Sequence, residues 1–300
     1  MILLNVVRRN LKVFFKDKGF FISALISPMI LLVLYATFLA NVYKESYMSA
    51  LPEGFTISEP LINGTVVGQL ISSLLAVCCV TIAFCSNLLM ITDKASGTIG
   101  DFTVSPVKRS TIAAGYYLAS AASTLIVTLS ALTVGLLYLS TQGWYMSFTD
   151  VLFVIGDVIL LTLFGTALSS CIHFFLSTNG QASAVGTIVS AGYGFFCGAY
   201  MPISSFGSGL QRFLTFLPGT YGTSLLKNHM MNGVFREMEA SGYPAEVLKG
   251  IRDSIDCNLY FFDAKVPLWV MAAVLIGSVV GFTGLFVLFH VLAKRHIKKQ

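Results

Sequence analysis

Charge is what this sequence has least of. Only 11% of its 300 residues are Asp, Glu, Lys or Arg, well short of the roughly 25% of an ordinary soluble domain. Hydrophobic residues make up 55% and the mean hydropathy is +0.79. That shortfall excludes a protein solvated on all sides and points to a chain whose outer surface meets lipid. A nucleotide phosphate loop is missing too: no G-x-x-x-x-G-K-[ST] occurs, so nothing in the chain can cradle the phosphates of ATP. There is no CxxC or HExxH, and His173, His229, His290 and His296 are scattered, which argues against a metal centre. Cys78, Cys79, Cys85, Cys171 and Cys197 sit inside apolar runs as small packing residues, and Cys257, in a polar loop, has no evident partner.

A helix crosses the hydrocarbon with about 20 apolar residues, and six stretches qualify: roughly 20–42, 64–92, 111–140, 151–176, 182–201 and 267–290. No cleavable leader is expected, because the first run follows five Lys or Arg and lacks a small-residue cleavage pattern. Six crossings place both termini on one side. Arg8, Arg9, Lys12, Lys16, Lys18, Lys94, Lys108, Arg109, Lys294, Arg295, Lys298 and Lys299 lie there, against Asp17, Asp93 and Asp101. By the positive-inside rule that side is cytoplasmic. These basic residues cluster at span ends, where headgroups and topology account for them, so no nucleic-acid partner is expected.

Residues 1–18 read as an amphipathic helix lying in the inner interface, with Asn5, Arg8, Arg9, Lys12 and Lys16 on one face and Leu4, Val7, Leu11, Phe14 and Phe15 on the other. The outer segment 202–266 has two parts. Phe206, Leu210, Phe213, Leu214 and Leu217, between Pro202 and Pro218, make an apolar face too short to cross, which predicts a re-entrant or interfacial helix capping a pathway. From Tyr243 a small exposed helix is predicted, with Pro244 in its first position and i,i+4 pairs Lys249/Asp253 and Arg252/Asp256.

Between the second and third spans stands DKASGTIGDFTVSPVKRS, residues 93–110. It is too polar for lipid and too short for a domain, and its Ile99, Phe102 and Val104 among turn residues suit a short helix that offers an apolar face to a partner's groove. Here the sequence resembles a family. Asp93, Lys94, Gly97, Thr98, Ile99, Ser105, Pro106, Val107, Lys108 and Arg109 resemble the coupling-helix segment of type-2 ABC exporter permeases. GAYMPISSFGSGLQRFLTFLPGTYG, residues 198–222, resembles that family's outer segment at Gly198, Pro202, Leu210, Pro218, Thr220 and Tyr221. The sequence departs from the family at Gly100, and at Tyr116, which follows Gly115 where a lysine is frequent.

The resemblance implies a single all-α membrane domain over 1–300 with six transmembrane helices, an N-terminal interfacial helix and a re-entrant outer segment before the last span. It implies a plasma-membrane location, of bacterial type, and no catalysis in this chain. ATP and Mg would be bound by a separate cytoplasmic ABC ATPase, present in two copies, and a second permease, identical or related, would complete the translocator. Asp93, Gly97, Thr98, Ile99, Phe102, Pro106 and Arg109 are the expected ATPase-coupling residues. Pro202, Leu210, Phe213, Pro218 and Tyr221 are the expected outer gate.

Within the membrane Asp157 is the one clear ionisable residue, and it is expected to snorkel or to hydrogen-bond a neighbouring helix, with a cationic-cargo contact or proton relay as the other option. Gly277, Gly281 and Gly284, and Gly192, Gly194 and Gly198, read as close-packing surfaces between helices. The second span also offers Gln69, Thr81 and Ser86. Asn87, Thr187, Ser190, Tyr193 and Asp157 are the candidate pathway lining. Little embedded charge favours an apolar or amphipathic cargo such as a drug, lipid-like metabolite or hydrophobic peptide. A polysaccharide, teichoic-acid-type or sodium exporter is the alternative, and an ion-coupled secondary transporter using Asp157 a more distant one.

Overall fold

The computed structural model describes residues 2–35, 40–49, 58–99, 107–262 and 264–297. In chain order the helices are α1 (Ile2–Lys16), α2 (Lys18–Leu34), α3 (Ala40–Ser49), α4 (Glu59–Ala95), α5 (Arg109–Gln142), α6 (Phe148–Phe174), α7 (Asn179–Phe196), α8 (Ser208–Leu214), α9 (Pro218–Ala240), α10 (Ala245–Ser254) and α11 (Leu268–Ile297). A 3₁₀ turn, Ile203–Ser205, precedes α8. β1 (Tyr260–Phe261) and β2 (Ala264–Lys265) form one antiparallel hairpin before α11. The chain is an all-α membrane protein. Among the described residues four helices, α4, α5, α6 and α11 as far as Leu292, are long and apolar enough to cross a membrane. The other two stretches marked by hydropathy also hold helices, but α2 carries only a shorter apolar run, Ala24–Leu34, and α7 is 18 residues with Asn179 and Gln181 in its first turn.

α4 is the axis of the bundle. It is apolar on every side, the pattern of a helix surrounded by others, and it packs against α2, α5, α6, α7 and α9. Its polar side chains stay inside because they satisfy themselves: Thr65, Ser72 and Thr81 donate to the carbonyls of Leu61, Gly68 and Val77 at 2.8–2.9 Å. Close approach is set by missing side chains. A Cβ on Gly165 of α6 would lie 2.6 Å from the Cys79 carbonyl oxygen of α4, and one on Gly233 of α9 would lie 2.0 Å from the Tyr145 carbonyl oxygen. Close packing was expected instead at Gly277, Gly281 and Gly284, but a Cβ at any of these three meets nothing within 4 Å. They lie on the side of α11 turned away from α6 and α9, which it meets through Met271, Leu275 and Phe282.

α1 divides its surface three ways rather than two. Val6, Asn10 and Phe14 are buried against the bundle, Leu4 and Phe15 are exposed, and Arg8 and Lys12 form a third sector. The charge pattern placed Arg9 with the polar face; a buried carboxylate on α4, Asp93, draws its guanidinium inward.

The outer segment holds a helix that hydropathy did not reveal. α9 runs for 23 residues from Pro218, whose fixed φ suits a first turn, and buries Leu225, Leu226, Met230, Met231, Val234, Phe235 and Met238 against α4, α6 and α11. Its Lys, Asn and His lower the mean hydropathy while leaving the helical spacing of its apolar residues intact. Pro244 is the residue before α10 rather than its first.

Candidate functional site

The C-terminal end of α4 is where four helices are fastened together. Asp93, 4% exposed, accepts from both terminal nitrogens of Arg9 on α1, one at 2.9 Å, and from the Tyr116 hydroxyl on α5 at 2.5 Å. A fork of this kind is stronger and more directional than a single bond. It holds the Arg9 guanidinium above its ordinary pKa, overcoming the lowering by partial burial. Tyr116 is one of the two positions noted above as departures, and its hydroxyl adds to the carboxylate's shell. The glycine before it lets α1 approach: a Cβ on Gly115 would sit 2.5 Å from Cγ1 of Val6. The neighbouring Lys94 reaches the other way, its ammonium donating to the carbonyls of His173, Phe174 and Leu176 at 3.5, 3.3 and 3.2 Å. These include orphan acceptors at the end of α6.

Beyond this fastening α4 stops at Ser96 and Gly97, whose φ of +81° suits glycine. Ser96 and Thr98 hydroxyls pair at 2.9 Å, and Ile99 is half-buried. Phe102 and Pro106 lie outside the described residues, as does Gly100. The chain returns with Arg109 exposed at the start of α5.

The outer positions explain one another locally. The Thr220 hydroxyl donates to the carbonyl of Leu214 at 2.8 Å, and the Tyr221 hydroxyl to that of Thr215 at 2.6 Å. Pro218-x-Thr-Tyr thus ties the first turn of α9 back onto the end of α8. Pro202 precedes the 3₁₀ turn, and Leu210 and Phe213 are exposed on α8.

Below them lies a buried ion pair that sequence reading missed. Lys227 of α9, 1% exposed, donates to the Gly198 carbonyl at 2.8 Å and stands 3.7 Å from an Asp256 carboxylate oxygen. Asp256 accepts from the backbone N–H groups of Ile203 and Ser204 at 2.7 and 3.3 Å. Burial pushes the Asp256 carboxyl up from its ordinary range, with Lys227 opposing. The expected pair Arg252/Asp256 does not form, because α10 ends at Ser254 and a φ of +60° turns Asp256 inward. Lys249/Asp253 does not form either: Asp253 accepts from Asn258 at 2.6 Å and Tyr260 at 3.1 Å. A lone lysine within the apolar spacing of α9 was the available signal.

The candidate pathway residues are spread over α4, α6 and α7. Asn87 is buried and donates to the Ser169 and Ser170 hydroxyls at 2.9 and 3.2 Å. Gln69, Thr81 and Ser86 are likewise inside the bundle. Thr187 is exposed on α7, Ser190 is half-buried, and Tyr193 packs beside Gly219. Asp157 pairs with His229 of α9 at 2.6 Å, and the Phe153 ring stacks on that imidazole at 4.9 Å. Hydrogen bonding to a neighbouring helix was the plain expectation for Asp157; its partner lies on the helix that hydropathy concealed.

A family model for ABC-2 type transporters matches residues 3–231, from α1 into α9, which is more than half of the chain. No individual curated protein matches it. With the helical membrane bundle and the fastened C-terminal end of α4 in place, that match makes the chain a member of the ABC-2 type transporter family, a membrane permease.

Proposed function

We propose that this permease is the membrane-spanning half of an ATP-driven exporter, working with two copies of a cytoplasmic ABC ATPase and a second permease, identical or related. It crosses the plasma membrane of a bacterial cell six times with both termini in the cytoplasm, α2 and α7 supplying the crossings beyond the four long apolar helices. The observation that carries this reading is the fastening at Asp93 and Lys94. Any push on the segment from 93 to 110 is delivered at once to α1 through Arg9, to α5 through Tyr116 and to α6 through Lys94. Gly97, Thr98, Ile99, Phe102, Pro106 and Arg109 form the ATPase-facing part, with the apolar residues filling the partner's groove.

At the opposite end Pro202, Leu210, Phe213, Pro218 and Tyr221 belong to an outer gate whose position is held by Thr220, Tyr221 and the Lys227–Asp256 pair. The cargo is apolar or amphipathic, since the ionisable side chains inside the bundle already have partners within the chain, Asp157 hydrogen-bonded to His229 and Lys227 beside Asp256. Asn87, Thr187, Ser190 and Tyr193 contribute to the pathway once two permeases face each other. Catalysis belongs to the ATPase, which holds ATP and Mg. The test is transport in proteoliposomes: cargo movement requiring the co-purified ATPase and ATP supports the proposal, and movement driven by a proton or sodium gradient without nucleotide overturns it.

A further inference from the structure

The outer segment encloses an open cavity of about 330 Å³ between the end of α9, α10 and the β-hairpin. That is near the lower end of ligand sites, roughly 300–1,000 Å³. Its walls are unusual for their charge. Lys249, Arg252 and Lys265 line it with a single carboxylate, Glu239. Asp256 turns inward to Lys227, and the Asp253 carboxylate accepts from Asn258 and Tyr260. Among the described residues neither Lys249 nor Lys265 has an ion-pair partner within 4 Å.

Arg252 is oriented and underused. Its guanidinium lies 4.6 Å above the Phe235 ring, which fixes its plane, and its one carboxylate contact is with the half-exposed Glu239 at 3.4 Å. Its Nε is buried with no acceptor. A planar donor held by an aromatic face beside two amines is the arrangement that recognises a tetrahedral or planar oxyanion.

We propose that this cavity binds a phosphate ester, with Arg252 as the oriented donor and Lys249 and Lys265 as flanking charges. Occupancy joins the hairpin, and through it the start of α11, to the end of α9, so the ligand braces the outer segment. The cavity's position outside the cell rests on the orientation proposed above, but the binding does not.

The test uses the full-length chain. In detergent, glycerol 1-phosphate is titrated against sodium chloride of matched ionic strength, with thermal unfolding and amine labelling of Lys249 and Lys265 as readouts. In a second arm, nanodiscs of phosphatidylglycerol are compared with phosphatidylcholine. Protection of both lysines with a raised Tm by the soluble ester assigns a free ligand. Protection only in phosphatidylglycerol assigns a lipid headgroup. In either case Lys249→Gln/Lys265→Gln, which alters only exposed side chains, should weaken binding about ten-fold or more. No protection in either arm, or the same binding by the double variant, overturns the proposal. Impermeant amine labelling of intact cells tests sidedness separately.

Discussion

Replacing Arg9 by alanine strands the Asp93 carboxylate in a site where its side chain is 6% exposed and its other side-chain partner is the Tyr116 hydroxyl. Removing one partner of a buried pair costs about 3–5 kcal/mol. Arg9 is itself 35% exposed, so water recovers part of that, and about 2 kcal/mol is the expected loss. Asp93→Asn is gentler. The amide oxygen still accepts from Arg9 or Tyr116, the stranded arginine can turn to water, and the loss should be about 1 kcal/mol. In the double variant no buried charge remains, so its cost should fall short of the sum of the single losses by about 1 kcal/mol. The assay is thermal unfolding of the permease in nanodiscs, paired with ATPase stimulation, which should fall with Arg9→Ala because α1 loses its tie to α4. Strictly additive losses, or a greater loss from Asp93→Asn than from Arg9→Ala, would refute the fastening.

Lys227→Met should leave Asp256 buried without its cation and speed hydrogen exchange at Ile203 and Ser204 by at least about ten-fold, corresponding to a local loss of about 1.4 kcal/mol or more; unchanged exchange there counts against the pair as the brace of the outer segment. Asp157→Asn should leave transport nearly intact, because the amide keeps the bond to His229, and a newly pH-dependent transport rate would show a proton role instead. Gly233→Ala should abolish or sharply reduce folded yield, since its Cβ would fall 2.0 Å from the Tyr145 carbonyl oxygen, whereas Gly281→Ala should be silent; size-exclusion profiles of the two distinguish them.

Most of the bundle was legible because a membrane asks for one simple property, a run of apolar residues, and the expected stretches overlap α2, α4, α5, α6, α7 and α11. α9 escaped because it is enclosed by other helices rather than by lipid, and can carry Lys227, Asn228 and His229 wherever a partner meets them. The same reason hid the pairs. Spacing along one helix suggested Arg252/Asp256, but the true partner of Asp256 lies on a different element, at Lys227. The family motif drew attention to Asp93 as a candidate coupling residue. That it is a buried anchor for Arg9 and Tyr116 needed three-dimensional contacts between residues far apart in sequence. The small residues were read only in part: a Cβ on Gly194 or Gly198 would meet a neighbour within 3.0 Å, but Gly277, Gly281 and Gly284 meet nothing within 4 Å among the described residues, and Gly165 and Gly233 make the closest approaches to another segment's backbone.

The central claim is that the segment between α4 and α5 receives the ATPase and passes its motion to the fastened end of α4. The most direct measurement is disulfide crosslinking from a cysteine at position 99 or 102 to cysteines scanned across the surface of the co-expressed ATPase, with and without ATP. Strong crosslinks confined to one groove, with yields that change on ATP binding and with ATPase stimulation lost in Phe102→Ala, are the predicted result. Weak, scattered crosslinks indifferent to ATP, together with normal transport by Phe102→Ala and Ile99→Ala, would contradict it.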